Sequence, residues 1–316
     1  MSFKSKLAPY IEEMITEKQS MGFSCENLKS QLQKFDNFLV DNNLDTGLLD
    51  DNVIEEWEKR LPAEADSTRN GRLKTVDNLA EYMHELGLPA SMSTTYGKVV
   101  HLVPYVPSAD EISQFLQCVD SCSVKAHGLH ARVAFEYSIM FRLYFLCGMR
   151  LSEVVSLKRD NVDLKKGSIY IRHSKGDKDR YVYTSEDLRL LLNRYDRKME
   201  ACIPDREYFF PGKETGKPFA PRTLESQFRK IWDKCFPRWT GKRPTVHSLR
   251  HAFVVERING WAKEGKDFKV MVPALSKYLG HSSINETYYY YHMLNPREGT
   301  IRTLMGDCSI SGEIEL

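Results

Sequence analysis

Several short motifs of this sequence carry side chains suited to breaking and forming a phosphodiester bond without a metal. Such a reaction needs charged donors for the non-bridging oxygens, a nucleophile for phosphorus and a general acid for the leaving oxygen. Arginine suits the first task because its guanidinium is planar and always charged. The candidates follow one another along the chain as Arg150, Lys175, His247, Arg250, His281 and a run of tyrosines, Tyr288 to Tyr291.

Helix ends are predicted to position most of these candidates. Arg150 lies at the predicted start of a helix, and Glu153 follows three residues later on the same helical face. His247 and Arg250 have the same spacing and therefore also share a face. His281 comes directly after a helix-ending glycine.

Each candidate also has an ordinary structural explanation. Arg150 and Glu153 could form a surface ion pair. Lys175, on a predicted hairpin loop, has Lys178 and Arg180 as basic neighbours, and exposed hairpin lysines are usually solvated. A lone histidine such as that at 281 is more often a hydrogen-bonded structural residue than a catalytic one. No single motif therefore establishes a function.

A zinc site is the chief alternative for His247 and His251, which are four residues apart on one predicted helix. A zinc-protease helix carries glutamate directly after its first histidine, but this chain has Ser248 there. The charge of Arg250, between the two histidines, would repel a cation. We therefore expect neither a bound metal nor any other cofactor.

The tyrosine run offers more hydroxyls than one site can use. On a helix, the side chains of Tyr288 to Tyr291 project about 100° apart, so most of them must serve in packing. Residue chemistry alone does not choose the nucleophile among them.

The first hundred residues show the periodicity of a small helical domain. Ser24 is a plausible N-cap for the second helix, and Gly87 with Pro89 closes the fourth. Residues 97–107 lack a helical pattern and carry two prolines, which is typical of an extended linker. The predicted helices are Leu7–Gln19, Cys25–Val40, Asn52–Lys59 and Ser67–Leu86.

The rest of the chain predicts a mainly α fold with a small β-sheet, an α+β domain. Two alternating segments, Ser168–Arg172 and Arg180–Thr184, indicate a β-hairpin around a polar loop. We divide the chain into a helical domain at 1–103, the linker end at 104–107, a second domain at 108–297 and a tail at 298–316. The predicted helices of the second domain are Ser108–Val119, Ala131–Cys147, Leu151–Leu157, Ser185–Glu200, Pro221–Cys235, His247–Asn259, Pro273–Leu279 and Ile284–Leu294.

Composition excludes several classes of protein. The chain is 41% hydrophobic and 28% charged, which is typical of a globular protein. It has no apolar run of the roughly 18–20 residues that cross a bilayer, and its start lacks the apolar core of a secretory signal. The seven cysteines form no CxxC pair, so we expect a reducing, cytoplasmic location and no membrane partner.

Charge is unevenly distributed along the chain. Residues 1–107 hold 11 Lys and Arg against 17 Asp and Glu, whereas residues 108–316 hold 34 against 26. The basic second part suits a polyanionic partner, but the acidic first part does not. Net charge is therefore weak support for nucleic-acid binding.

Taken in order, the motifs resemble those of the tyrosine recombinases, the family of phage integrases and Xer-type recombinases, over residues 108–297. The family pattern is Arg, Lys, His-x-x-Arg, His or Trp, and then Tyr nine residues after that histidine. Counting nine from His281 reaches Tyr290, and His292 completes the usual Tyr-x-His. The resemblance selects as catalytic Arg150, Lys175, His247, Arg250, His281 and Tyr290, with Glu153 and His251 in support.

The resemblance implies a role for each of these residues. Tyr290 would attack the scissile phosphate and form a 3′-phosphotyrosyl link. The two arginines would hold the non-bridging oxygens, and Lys175 would protonate the 5′ oxygen. His247 would be the base or proton relay for the tyrosine, and His281 would hydrogen-bond the phosphate. Glu153 would orient an arginine or His247.

The resemblance also implies a partner and an assembly. The substrate would be double-stranded DNA with specific recombination sites, clamped between a core-binding domain at 1–103 and the catalytic domain. A homo-tetramer would exchange strands through a Holliday junction, with accessory DNA-bending proteins as further partners. The tail, with Ile301, Leu304 and Met305, would dock on a neighbouring subunit. No arm-binding domain precedes the first helices, which favours a short-site system over one with separate arm sites; a mobile element is an expected setting.

Two other functions remain open at this point. A type IB topoisomerase would use the same chemistry without partner exchange and would relax any supercoiled plasmid. A DNA-binding relative that has lost catalysis would tolerate Tyr290→Phe. The target sequence, and the choice among integration, excision, resolution and inversion, cannot be deduced from the motifs.

Overall fold

A computed structural model describes residues 2–23, 25–99, 104–124, 128–174, 178–212, 216–281 and 283–290. The chain divides into two compact units, Met1–Leu102 and Val103–Leu316. Each unit has buried apolar clusters of its own. None of the described helices is long and apolar enough to cross a membrane.

The described part of the N-terminal unit consists of helices around a small core. Pro9 occupies the first turn of α1, where a missing N–H costs no helical hydrogen bond. Asp50 caps α3 by accepting a hydrogen bond from the Val53 N–H. Phe35 and Trp57 meet edge to face in the core. The helices are α1 (Ala8–Ser20), α2 (Glu26–Asp41), α3 (Asp51–Glu58) and α4 (Asp66–Glu85).

The second unit is built around one apolar helix. This helix, α6, buries Phe141, Leu143 and Tyr144 completely, as expected for a helix that is apolar around most of its circumference. Others pack around it, among them α5 and α10. The helices are α5 (Ala109–Val124), α6 (Gly128–Cys147), α7 (Leu151–Val155), α8 (Glu186–Cys202), α9 (Pro221–Cys235), α10 (Val246–Lys263), α11 (Phe268–Leu279) and α12 (Asn285–Tyr288).

Within the described residues, a small antiparallel sheet lies between α7 and α8 in the chain. Its strands are β1 (Val162–Asp163), β2 (Ser168–Ser174) and β3 (Lys178–Tyr183), in the order β1-β2-β3. Ile169 pairs with Val182, and Ile171 pairs with Arg180. Because paired residues share a face of the sheet, Arg180 lies on the face that buries the isoleucines. The prediction of a mainly helical α+β fold is confirmed.

Several predicted element bounds were wrong. The start of α11 was placed at Pro273, but the helix begins at Phe268 because Asp267 caps it by accepting a hydrogen bond from the Lys269 N–H. Pro273 lies inside the helix, where its missing N–H removes one helical hydrogen bond. β1 was not predicted, because a strand of two residues is too short to show an alternation of apolar and polar side chains. α5 and α10 run on to Val124 and Lys263.

Several predicted features fall partly or wholly outside the described residues. They include the N-cap residue Ser24, part of the predicted linker, the hairpin loop with Lys175, and the tail at 298–316. The predicted helix Ile284–Leu294 is described only as α12 and a following 3₁₀ turn at Tyr289 and Tyr290.

Candidate active site

Two glycine turns bring the predicted arginines to one place. Gly148 follows α6 with a φ of 60°, and Gly280 ends α11 with a φ of 66°. Both values lie in the left-handed region, which glycine adopts without a Cβ clash. The Gly280 N–H donates to the Lys277 carbonyl at 3.1 Å and the His281 N–H to the Ser276 carbonyl at 3.0 Å, which closes the end of α11. Each turn thereby exposes carbonyl oxygens toward the site.

Arg250 is held by backbone carbonyls from both turns. The start of α10 is fixed by Ser248, whose hydroxyl accepts a hydrogen bond from the Thr245 N–H at 3.0 Å. Arg250 then donates from Nη1 to the Gly148 carbonyl at 2.5 Å and from Nη2 to the Leu279 carbonyl at 2.9 Å. Burial, with the charge of Arg150, lowers the pKa of Arg250 to about 10. The guanidinium is therefore charged at neutral pH and fixed in direction.

Arg150 reaches the same place from the start of α7. Its Nη2 donates to the Gly280 carbonyl. Glu153 accepts hydrogen bonds from the Arg150 backbone N–H at 2.7 Å and from its Nη1 at 3.2 Å. The pair predicted from the spacing is therefore formed, and it lies at the site rather than on an open surface.

Arg180, which sequence reasoning did not select for the site, also binds Glu153. Its Nη1 and Nη2 donate to the two carboxylate oxygens of Glu153 at 2.7 Å each. Burial would raise the pKa of Glu153, but the hydrogen bonds and charge of Arg180, followed by those of Arg150, outweigh it and lower that pKa. The sequence signal that could have pointed to Arg180 is the alternation of inward and outward side chains along β3, which places residue 180 on the buried face.

Tyr290 is the buried member of the described tyrosines in the run, with 4% of its surface exposed, while Tyr288 and Tyr289 are half-buried. Its hydroxyl lies 2.8 Å from Nδ1 of His251. Its ring is parallel to that of His281, with the centroids 6.5 Å apart. Burial raises the pKa of Tyr290 to about 12, although the charge of Arg250 acts in the opposite direction. Tyr291, the next tyrosine of the run, lies outside the described residues.

The structure places His251, rather than His247, against the tyrosine hydroxyl. The two imidazoles are one helical turn apart, with ring centroids 5.3 Å apart and perpendicular planes. Burial, followed by the charges of His247, Arg250 and His281, lowers the pKa of His251 to about 4. The His251 ring is therefore neutral at pH 7 and can accept a proton.

The other two histidines are also kept neutral. Nδ1 of His281 lies 2.7 Å from the hydroxyl of Thr287, and burial with the charge of Arg250 lowers the pKa of His281 to about 4. Desolvation and the charges of Arg250 and Arg150 lower the pKa of His247. The side chain of His247 is exposed, and the positive charges of Arg250 and Arg150 disfavour its protonation.

Lys175 and His292 lie outside the described residues, so their positions relative to the site stay predictions. The described residues contain no group of three or more histidine, cysteine, aspartate or glutamate side chains placed to hold a metal ion. The site thus gathers two arginines, three neutral histidines and a buried tyrosine, a set suited to holding an anion beside a nucleophile.

One protein-family model matches the part of the chain that contains this site. The model of the phage integrase family matches residues 108–297. A protein of Sinorhizobium fredii named as an integrase/recombinase, y4eF, is 31% identical over 188 residues, which are 60% of this chain and 64% of that protein. Tyrosine recombinase XerC of Lactobacillus leichmannii is 32% identical over 155 residues, 48% of each chain. The chain thus spans about half to two thirds of the length of these relatives.

Solved structures share the fold at lower identity. The integrase of transposon Tn1549 in complex with transposon right end DNA is 15% identical, with a TM-score of 0.66 over 94% of this chain and 98% of that one. The XerH site-specific recombinase bound to difH substrate is 18% identical, with a TM-score of 0.62 over 94% and 84%. At these identities the likeness establishes the fold alone.

Proposed function

Because the chain belongs to the phage integrase family, whose model covers more than half of it, we propose that it is a site-specific DNA recombinase. It cleaves and rejoins DNA strands through a 3′-phosphotyrosyl intermediate. The observation that carries this proposal is the buried hydroxyl of Tyr290, which contacts a neutral imidazole 2.8 Å away beside anchored arginines. A tyrosine that served only in packing would need neither neighbour.

Arg150 and Arg250 bind the scissile phosphate in this proposal. A guanidinium matches the non-bridging oxygens of a phosphate with paired N–H donors. Carbonyls of Gly148, Leu279 and Gly280 already accept hydrogen bonds from the two side chains. Donors fixed in this way need little reorganisation as negative charge develops in the transition state.

His251 is our candidate for the proton acceptor, and it can act only during the attack itself. The pKa of Tyr290 is raised to about 12 by burial, and that of His251 is lowered to about 4, also by burial first. Complete proton transfer in the DNA-free site would therefore cost on the order of 10 kcal/mol. Tyr290 stays protonated until a phosphate is in place, and its proton moves to His251 as the bond to phosphorus forms.

The leaving 5′ oxygen takes a proton from Lys175, as the family pattern implies, and His247 and His281 hydrogen-bond the phosphate. The bond from Tyr290 to phosphorus forms while the bond from phosphorus to the 5′ oxygen breaks. A 5′-hydroxyl from a partner strand then reverses the step, so the bond energy is conserved. The reaction written in this way uses no cofactor.

The partner and assembly follow from the same proposal. Several structural neighbours are described as bound to DNA, among them lambda integrase bound to a core site. We propose double-stranded DNA with specific sites as the substrate and a homo-tetramer acting through a Holliday junction in the cytoplasm. The N-terminal unit serves as the core-binding domain, residues 298–316 contact a neighbouring subunit, and DNA-bending proteins assist.

A covalent adduct on a nicked suicide substrate tests the proposal. The DNA comes from the flanks of the gene, a chelator is present throughout, and denaturing gels detect protein joined to DNA. We expect wild type and the control Tyr289→Phe to form the adduct and Tyr290→Phe to form none. Loss in Tyr291→Phe instead would move the nucleophile by one residue. An adduct that only leads to plasmid relaxation would indicate a topoisomerase, and binding without an adduct would indicate a non-catalytic relative.

A further inference from the structure

We propose that Arg180 is a positioning residue of this active site, which holds the carboxylate of Glu153 and thereby keeps Arg150 directed at the phosphate. The inference rests on the proposed function, because it assigns Arg150 to phosphate binding. It adds a strand residue to a site whose other described members come from helices and helix ends. Arg180 acts through Glu153 and is not itself a catalytic residue.

The contacts of Glu153 are unequal. Arg180 approaches both carboxylate oxygens at 2.7 Å, in the paired geometry of a strong arginine–carboxylate contact. The side chain of Arg150 approaches one oxygen at 3.2 Å, and its other described contact is with the Gly280 carbonyl. The carboxylate is therefore held by the Arg180 side chain and by the Arg150 backbone N–H at 2.7 Å, and only weakly by the Arg150 side chain.

Burial separates the roles of the two arginines. The side chain of Arg180 is 7% exposed and that of Glu153 is 6% exposed, whereas that of Arg150 is 16% exposed. Arg180 is thus the more enclosed partner, on the inward face of β3 opposite Ile171. A ligand arriving from solvent would reach Arg150 more readily than Arg180.

The charges of Arg150, Glu153 and Arg180 explain why the loss of Arg180 would affect phosphate binding. Among the described contacts, the carboxylate of Glu153 lies between the guanidinium groups of Arg150 and Arg180, so these three side chains together carry a net positive charge that favours an arriving anion. Without Arg180, the negative Glu153 would have Arg150 as its nearest described cationic partner. A paired contact between them would draw Arg150 off the phosphate and neutralise its charge.

This reasoning predicts the sign of a double-mutant effect. Arg180→Gln alone leaves the carboxylate of Glu153 to compete for Arg150, and we expect the rate of adduct formation at saturating DNA to fall tenfold or more. Adding Glu153→Gln removes the competing charge, so the double variant should be faster than Arg180→Gln. Arg180→Lys keeps the charge without the paired donors and should be intermediate. Affinity for DNA should change less than threefold in all three variants.

The experiment measures DNA affinity, the single-turnover rate of adduct formation and thermal stability in the full chain. Arg189→Gln is the matched control, since Arg189 also pairs with a carboxylate of the same unit, Glu186, but on α8 and at the surface. A wild-type rate in Arg180→Gln would overturn the inference, as would a double variant no faster than that single one. No adduct from wild type would instead refute the proposed function itself.

Discussion

Replacing Gly148 with alanine tests whether the turn before α7 sets the position of Arg250. A Cβ at this residue would lie 2.5 and 2.7 Å from two ring carbons of Phe253 and 3.2 Å from Cδ2 of Leu279. The Phe253 ring cannot move aside easily, because it is buried, stacks on Tyr278 and has the Arg257 guanidinium over its face. The backbone or the ring must therefore shift.

Two separate costs can be assigned to this substitution. The left-handed conformation costs an alanine about 1–2 kcal/mol relative to glycine. Overpacking against a core ring costs about 1–3 kcal/mol more. Gly265 provides the matched control, since its φ of 64° is nearly the same and no described atom beyond its chain neighbours would lie within 4 Å of an added Cβ. Gly265→Ala should therefore show the first cost alone.

We expect urea unfolding to give a free-energy loss of about 2–5 kcal/mol for Gly148→Ala and about 1–2 kcal/mol for Gly265→Ala. Because the Gly148 carbonyl accepts a hydrogen bond from Arg250, adduct formation should fall at least tenfold in Gly148→Ala only. Adding Phe253→Leu should recover part of both losses, as a favourable coupling in a double-mutant cycle. Equal stability losses in the two alanine variants, with unchanged adduct formation, would refute the reasoning.

Two further predictions concern the histidines. Thr287→Val removes the hydroxyl that lies 2.7 Å from Nδ1 of His281. We expect calorimetry to show that the free energy of unfolding falls by about 1–3 kcal/mol in this variant and does not fall in Thr287→Ser, which keeps the hydroxyl. Equal losses in both variants would contradict the contact. Burial lowers the pKa of His251 and of His281 to about 4, against about 6.5 in an unfolded chain. Between these values the unfolded chain binds more protons, so the free energy of unfolding should fall as the pH is lowered from 6.5 to 4. Urea titrations across that range should show a smaller fall in His251→Gln, and an identical fall would count against this explanation.

Sequence patterns predicted the helices well where a local signal marks each end. The helix from Pro221 to Cys235 has the predicted bounds, because proline suits the first helical turn and the apolar residues recur with helical spacing. The predicted start of α11 at Pro273 was wrong, because the capping residue is Asp267. Both are acceptable starts by local rules, and the helix uses the Asp267 cap.

The sequence indicated which residues to consider for the site better than it indicated which of them contact one another. Motif order brought Arg150, His247, Arg250 and His281 into consideration, and helical spacing paired Arg150 with Glu153. Spacing could not show whether His247 or His251 meets the tyrosine, because both lie on one face of α10 and the docking of the segment after α11 decides. That segment is fixed by tertiary contacts of Tyr290, which no local pattern encodes.

Burial and charge explain why no proton passes from Tyr290 to a histidine in the DNA-free site. Burial and the positive charge of Arg250 hold His251 and His281 neutral, and burial holds Tyr290 protonated. An arriving phosphate would bring negative charge to the same arginines and so offset the field that lowers the histidine pKa values. The substrate would thereby make His251 a stronger base at the moment when the tyrosine proton must leave. Because the charge of Arg250 also lowers the pKa of Tyr290, the same phosphate would raise the pKa of the tyrosine, so the proton must move as the bond to phosphorus forms.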